Sequence, residues 1–327
     1  MIKEEVLAIL KKKNDYVSGE KISTRLGVSR MAISQAVKSL RSDGYNISSV
    51  TNKGYRLLEN QNMDKLTTGE LMTYLSKERM ETVLCLDIID STNTKLRELA
   101  FDGAASGYVV VANQQTSGRG RLGRSFMSPK DTGIYLSVLL RPDCLPKDCP
   151  AITAWTGVAV SRAIKRITDV SPSIKWVNDL FMNDKKICGI LSELSVESES
   201  GHVQHIIVGI GINVNERPDE FPDELKNIAT SIYAETGKKT SRAELAAALI
   251  EELDIISSKW PDAKEEYLAE YRKLTMTTGR DIYVISGENK TKAKALEIND
   301  DFSLKVRYED ETIENLSSGE ISTRFVD

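Results

Sequence analysis

The chain has 327 residues, of which 40% are apolar and 28% charged, with four cysteines and a formal net charge of −4. That length carries two or three hydrophobic cores, and the composition is that of a globular protein rather than a fibrous, disordered or membrane-spanning one. Charge is uneven: residues 1 to 60 hold 11 Lys and Arg against 6 Asp and Glu (+5), leaving 33 against 42 (−9) for the rest, so a basic head precedes an acidic body with no general attraction for nucleic acid.

The N-terminal MIKEEVLAILKKK lacks the apolar core and small-residue cleavage site of a secretory leader. No run of about 18 apolar residues follows anywhere, and the expectation is a cytoplasmic protein. IKEEVLAILKKK places Ile2, Val6, Ile9 and Leu10 on one helical face. Ser18 is placed to cap a second helix, with Ile22 and Leu26 inward, which stops at Gly27. Ser29 caps a third, with Ile33, Val37 and Leu40 inward and Arg30, Ser34, Gln35, Lys38 and Arg41 outward. ISSVTNKGYRLL then alternates around Asn52-Lys53-Gly54, a hairpin that would form a wing with Lys53 and Arg56 at or beside its tip. Helix, glycine turn, helix and wing, in that order and with a net of +5, favour a winged helix-turn-helix on DNA over a merely solvated basic face. The DNA-facing set is Ser29, Arg30, Ser34, Gln35, Lys38 and Lys53: cations hold phosphates, and the polar side chains of the third helix read bases.

Residues 59 to 65, ENQNMDK, are polar, without periodicity, and read as a linker. Beyond them VLCLDII, YVVVANQ, GIYLSVLL, SIKWV, KICGILSELSV and HIIVGIGINV read as strands, interleaved with helices such as TNTKLRELA and the segment from Ile152 to Ile167. In SRAELAAALIEELDIISSKW, Ser241 and Glu244 form a capping-box pattern and Leu245, Leu249, Leu253 and Ile256 hold one face. From about Met276, short strands at regular intervals (DIYVIS, TKAKALEI, SLKVRY, ETIENL) suggest a small all-β barrel. The fold class is therefore α+β and multidomain, with limits at 1–62 for the winged helix, 63–273 for a central mixed-sheet α/β domain and 274–327 for the barrel.

Cys85, Cys144, Cys149 and Cys188 are scattered without C-x-x-C and read as reduced thiols. His202 and His205 lie three apart where a strand starts, which points them to opposite faces and argues against a metal site; neither sits in a motif from which a Ser-His-Asp hydrolase could be built.

GRGRLGR, residues 118 to 124, satisfies G-x-G-x-x-G. A dinucleotide fingerprint needs a helix immediately after its glycines, and RSFMSPKDTG, with Pro129 and Gly133, cannot start a long one. What remains is a loop in which glycines allow close backbone approach and Arg119, Arg121 and Arg124 supply forked bonds to phosphate or carboxylate. Such a loop is expected to close over a ligand and exclude water from a reactive intermediate.

QTSGRGRLGRSF, residues 115 to 126, followed by SIKWVNDLFMNDKKICGILSE and VGIGINVN, resembles the biotin protein ligases; with the winged helix in front, the chain resembles their bifunctional form, which is ligase and biotin-operon repressor in one. Two positions depart from the family pattern, Phe126 standing where tryptophan is usual and Val177 where proline is. The resemblance implies that biotin and ATP give biotinyl-5′-AMP and pyrophosphate, and that the acyl group passes to a lysine of a biotin carboxyl carrier protein domain. It further implies a C-terminal domain that is SH3-like, a homodimer of loaded chains, and operator DNA as a partner. Two anions must meet in the first step, so cations have to neutralise both. By motif match Lys175, Arg119, Arg121 and Arg124 are the catalytic set. Ser91, Thr92, Asn93, Gln115 and Gly120, with Arg119, Arg121 and Lys175, are the biotin set. Arg121, Arg124, Phe126, Asn178 and Asn213 face the nucleotide, and Asp179 faces Mg²⁺ brought by ATP. Gly209 and Gly211 are expected to let the backbone lie close to ligand. A lipoate ligase, and a sensing repressor without enzymatic activity, remain as alternatives.

Overall fold

The computed structural model describes residues 2–13, 15–58, 64–197 and 199–317, and the backbone of 321–325. The expected linker falls mostly at 59–63, outside the described residues; Asp64 and Lys65 are described. The head consists of α1 (Ile2–Lys11), α2 (Gly19–Leu26), α3 (Arg30–Ser42) and the hairpin β1 (Ile47–Val50) and β2 (Gly54–Leu57). Ser18 and Ser29 accept from the backbone N–H groups of Lys21 and Ala32 at 3.1 and 3.2 Å, and Gly27 ends α2 in the left-handed conformation. Val6, Leu10, Ile22, Ile33, Val37 and Leu40 form its core. Arg41 is exposed, as its place on the outer face of α3 predicts, and its guanidinium reaches along the surface to Ile47 O (2.9 and 2.7 Å) and Ser49 Oγ (3.1 Å) on the hairpin.

Two short helices, α4 (Thr68–Leu71) and α5 (Lys77–Met80), lead into the body. Its strands are β3 (Val83–Ile89), β4 (Val109–Gln115), β5 (Ile134–Leu140), β6 (Ser173–Lys175), β7 (Asp179–Met182), β8 (Lys185–Val196) and β9 (Val203–Ile212). Its helices are α6 (Thr92–Phe101), α7 (Cys149–Thr168), α8 (Ile232–Thr236), α9 (Arg242–Lys259) and α10 (Lys264–Leu274). The strands form one sheet in the order β3-β4-β5-β9-β8-β7-β6, antiparallel throughout except for the parallel β3–β4 pair. SIKWV was expected as a single strand; β6 ends at Lys175, and the chain turns back so that Lys175 pairs with Asp179 in β7.

Period-two alternation decides which side chain goes where. On β9, Ile206, Val208, Ile210 and Ile212 enter the main core, where α7 and α9 cover the sheet, while Ile207 packs with Leu96 and Ala100 of α6 on the opposite face. Leu245, Leu249, Leu253 and Ile256 of α9 are essentially inaccessible, each burial worth about 1.5–3 kcal/mol. On the α6 face, four of the six positions beyond Ile207 on the three central strands are small, Gly209 and Gly211 on β9, Gly189 on β8 and Ser137 on β5, against Leu191 and Tyr135, and that half of the sheet is hollow.

The C-terminal strands β10 (Asp281–Ser286), β11 (Asn289–Ile298), β12 (Leu304–Tyr308), β13 (Ile313–Leu316) and β14 (Ile321–Phe325) form an antiparallel sheet in the order β13-β12-β11-β10-β14. It is tied to the body by Trp176, whose N–H donates to Thr277 Oγ1 and whose Nε1 donates to Phe302 O, both at 2.9 Å. The head is tied to the body by Glu70 of α4, which is 3% exposed and accepts from Tyr45 Oη at 2.8 Å and from Lys11 Nζ. The four cysteines are unpaired. Among the described residues no helix is long and apolar enough to cross a membrane.

Candidate active site

The hollow half of the sheet is a cavity of about 750 Å³. Every residue the sequence assigned to biotin, nucleotide, catalysis or metal lines it: Ser91, Thr92, Asn93, Gln115, Arg119, Gly120, Arg121, Arg124, Phe126, Lys175, Asn178, Asp179 and Asn213. They come from the N-terminus of α6, the end of β4, the loop after it, the β6–β7 turn and the end of β9. Its charged lining is Arg119, Arg121, Arg124, Lys175, Lys186 and Lys290 against Asp179 and Asp184, six cations to two carboxylates, which suits anionic ligands. Neither histidine lines it.

The floor is a hydrogen-bonded row. Ser91 caps α6, its Oγ accepting from Thr94 N at 3.5 Å. The Thr92 N–H donates to Gln115 Oε1 at 2.9 Å, and Gln115 Nε2 donates to Ser128 Oγ at 3.0 Å. Ser137 Oγ lies 2.7 Å from Thr92 Oγ1 and 2.6 Å from Asn93 Oδ1, and Asn93 Nδ2 donates to Glu193 Oε2 at 2.7 Å. Ser128, Ser137 and Glu193 were not anticipated. Ser137 and Glu193 lie 44 and 100 positions from Asn93, and the sheet order brings them to it; Ser128 lies 13 positions after Gln115, where the glycine loop returns alongside β4.

The glycine loop folds over this floor. Gly120 N donates to Arg124 O at 2.7 Å, Phe126 N donates to Gly118 O at 2.9 Å, and Gly123 has φ near +71°, a conformation that favours glycine. Arg119 Nη2 donates to Thr94 Oγ1 at 2.7 Å. Arg121 Nη1 donates to Asn178 Oδ1 at 2.9 Å, and burial pulls its guanidinium below the usual arginine range, partly offset by Asp179. Arg124 is exposed at the mouth. Phe126 packs over Gly211, where a methyl group would overlap its ring; at Gly209 a methyl group would overlap Asn93 Oδ1. Both glycines thus make room for a side chain of the protein, Phe126 at Gly211 and Asn93 at Gly209.

Lys175 Nζ lies 5.5 Å from the centroid of the Phe181 ring. Asn178 Nδ2 donates to Ile190 O and Asp179 Oδ1, both at 3.0 Å. Asp179 also pairs with Lys186 at 2.7 Å, and Asn213 Nδ2 is held by Thr230 O at 2.9 Å. The proposed DNA-facing residues lie on the head, away from the cavity, and Ser29, Arg30, Ser34, Gln35, Lys38 and Lys53 are all exposed.

Two family patterns match: an HTH domain over residues 3–56 and the Biotin/lipoate A/B protein ligase family over residues 85–213. The bifunctional ligase/repressor BirA of Bacillus subtilis (strain 168) is 41% identical over 231 residues, 70% of each chain. That of Escherichia coli (strain K12) is 30% identical over 311 residues, 95% of this chain and 94% of that protein. Among solved structures, biotin protein ligase from Aquifex aeolicus in complex with biotin and ATP aligns over 75% of this chain and 99% of its own, with 32% identity and a TM-score of 0.64. Fold, cavity and head together define a protein ligase joined to a helix-turn-helix domain. The chain belongs to the bifunctional biotin protein ligase/repressor family.

Proposed function

We propose that the cavity binds biotin and MgATP, joins them as biotinyl-5′-AMP, and delivers the acyl group to a lysine of a biotin carboxyl carrier protein domain. The observation that carries this reading is the cationic loop facing Lys175 across a floor of neutral donors and acceptors in one cavity. The floor suits a ureido ring, a neutral group that needs matched hydrogen bonds, and Ser91, Thr92, Asn93, Gln115 and Gly120 are assigned to it. Lys175, Arg119, Arg121 and Arg124 are assigned to the carboxylate and phosphates. In the first step a carboxylate oxygen of biotin forms a bond to the α-phosphorus as the bond to pyrophosphate breaks. The cations neutralise both the attacking anion and the departing charge. In the second, the carrier amine attacks the acyl carbon, AMP leaves, and the amine gives up a proton.

Phe126, Asn178 and Asn213 are assigned to the nucleotide, the aromatic face of Phe126 offering adenine a stacking surface. Asp179 supplies one carboxylate beside the phosphate cations, and one carboxylate with phosphate oxygens and waters meets the oxygen preference of Mg²⁺. When bound, the ion would screen phosphate charge.

Domain limits are placed at 1–62, 63–273 and 274–327, the last as an SH3-like barrel. Loaded chains are proposed to form a homodimer whose paired heads bind a two-fold operator through Ser29, Arg30, Ser34, Gln35, Lys38 and Lys53. Abundant acceptor consumes the adenylate, while scarce acceptor leaves the chain loaded and repressing. ATP dependence and unpaired cysteines fit a cytoplasmic protein.

The test is to incubate the purified chain with labelled biotin, MgATP and a carrier domain, sampling protein-bound adenylate and carrier-bound label. Both species should appear. Tight biotin binding without adenylate would leave a sensor only, and labelling with lipoate in place of biotin would overturn the substrate. Operator gel shifts with and without biotin and ATP test the switch, and equal affinity in both states would sink it.

A further inference from the structure

We propose that Glu193 sets the hydrogen-bond polarity of the ring site, acting as a positioning residue through Asn93, Ser137 and Thr92. This deepens the biotin reading and rests on it. Glu193 stands on β8, where Oε2 accepts from Asn93 Nδ2 at 2.7 Å and Oε1 accepts from Arg97 Nη2 at 2.8 Å, with Arg119 Nη1 at 3.7 Å. A carboxylate held by these donors acts only as an acceptor. Asn93 must therefore turn its NH₂ to Glu193 and its oxygen to Ser137.

Ser137 carries one proton, yet its Oγ lies 2.6 Å from Asn93 Oδ1 and 2.7 Å from Thr92 Oγ1. An amide oxygen cannot donate, so the Ser137 proton goes to Asn93 and Thr92 donates to Ser137. Gln115 Oε1, 3.1 Å from Thr92 Oγ1, is then served by the Thr92 N–H at 2.9 Å. Thr92 Oγ1 is left with lone pairs only, an acceptor on the cavity wall. A ureido N–H finds its partner there; the reversed order would set a hydroxyl proton against it. Asn93, Thr92 and Ser137 are 4%, 3% and 0% exposed, so the bonds between them are shielded, and the Thr92 end of the row faces the cavity.

The test is a double-mutant cycle on the full chain, read by calorimetric titration with biotin. Glu193→Gln keeps size and partial exposure but both donates and accepts, which lets Asn93 flip and the row reverse. Thr92→Val removes the last hydroxyl. Each single variant should weaken biotin about five- to tenfold, the size of one ordinary hydrogen bond. Adding Glu193→Gln to Thr92→Val should change affinity by less than about twofold, because the two act on one hydrogen bond.

In turnover, Glu193→Gln should raise the KM for biotin while leaving the thermal midpoint near wild type, a split that general loosening would not give; an effect passed through Arg119, 3.7 Å from Oε1, would multiply with Thr92→Val instead of merging with it. Wild-type affinity in Glu193→Gln, or losses that multiply in the double variant, would overturn the proposal while the biotin reading stands. A wild-type chain that binds no biotin would overturn both.

Discussion

Arg121 donates from Nη1 to Asn178 Oδ1 across 2.9 Å, so the glycine loop is pinned to the β6–β7 turn, three residues from Lys175. Asn178 is itself held by Ile190 O, which lies on the central part of the sheet. A loop rich in glycine is costly to order, and this bond ties it to the strands of the sheet.

Of the four cations in the catalytic set, Lys175 is the one on a strand, at the end of β6, while the three arginines sit on the glycine loop. Lys175→Ala should slow the first half-reaction by roughly 10²–10³, the range for losing one preorganised stabilising group. Stability should fall by about 1 kcal/mol or less, the scale of a cation lost from over the Phe181 ring at a half-buried position. Pyrophosphate release in single turnover and a thermal melt measure the two; normal release would remove Lys175 from the catalytic set.

Gly211 and Phe126 share one volume, since a methyl group on Gly211 would overlap the ring. Gly211→Ala should displace Phe126 and raise the KM for ATP about tenfold or more, with biotin affinity changed much less. Phe126→Leu in that background should relieve the clash and recover part of the folding stability. Equal effects on both substrates would show that the ring does not favour the nucleotide end.

Much of this was legible in the sequence, and the reason is local chemistry. Caps at Ser18, Ser29 and Ser241, and the period-two strands, are written in neighbouring residues, so the elements follow from them. The cavity lining was readable because its residues cluster in short motifs. What stayed hidden depends on distant pairing. Glu193 meets Asn93 across 100 positions, Arg242 meets Asp64 across 178, and Trp176 meets Phe302 across 126. Arg41 is the exposed cation that helical spacing on α3 predicts, but its bond to Ile47 O depends on where the hairpin packs.

Glu216 is fully buried, with Oε1 accepting from Thr132 Oγ1 at 3.0 Å and Oε2 without a partner among the described residues. Burial pushes its carboxyl from the ordinary 4.5 up to about 7, against the pull of nearby hydrogen bonds and Arg242. The folded chain therefore holds the proton that the unfolded chain releases, and stability falls as pH rises from about 4.5 to about 7, then levels. The loss is at most about 3 kcal/mol. Glu216→Gln should flatten that segment of the curve and raise stability at pH 8. Denaturant melts across pH measure it, and parallel curves for both proteins would exclude Glu216 as the source.

On the head, Lys53 is exposed at the tip of the wing and Gln35 on the outer face of α3. Lys53→Ala should weaken operator and random DNA alike and reduce the salt slope by about one, as for a lost phosphate contact. Gln35→Ala should leave the slope intact and relax sequence preference, costing about 1–3 kcal/mol at one base pair. The reverse pattern in gel shifts across salt would exchange their assignments.

Glu70 joins the head to the body. Its carboxylate is buried between Tyr45 and Lys11, and burial together with Glu70 pushes the Tyr45 phenol up, so the phenol stays a donor. Glu70→Ala would leave the buried Tyr45 phenol without its acceptor and the partly exposed Lys11 without its counter-ion, a cost of about 1.5–3 kcal/mol for bonds to a charged group. Four-residue α4 has little stability of its own and depends on α1 packed against it. Amide exchange at Leu71 and its neighbours should therefore accelerate about tenfold or more, while α9 keeps wild-type protection. Unchanged exchange in α4 would mean that apolar contacts alone, such as Leu7 against Gly69, hold the head in place.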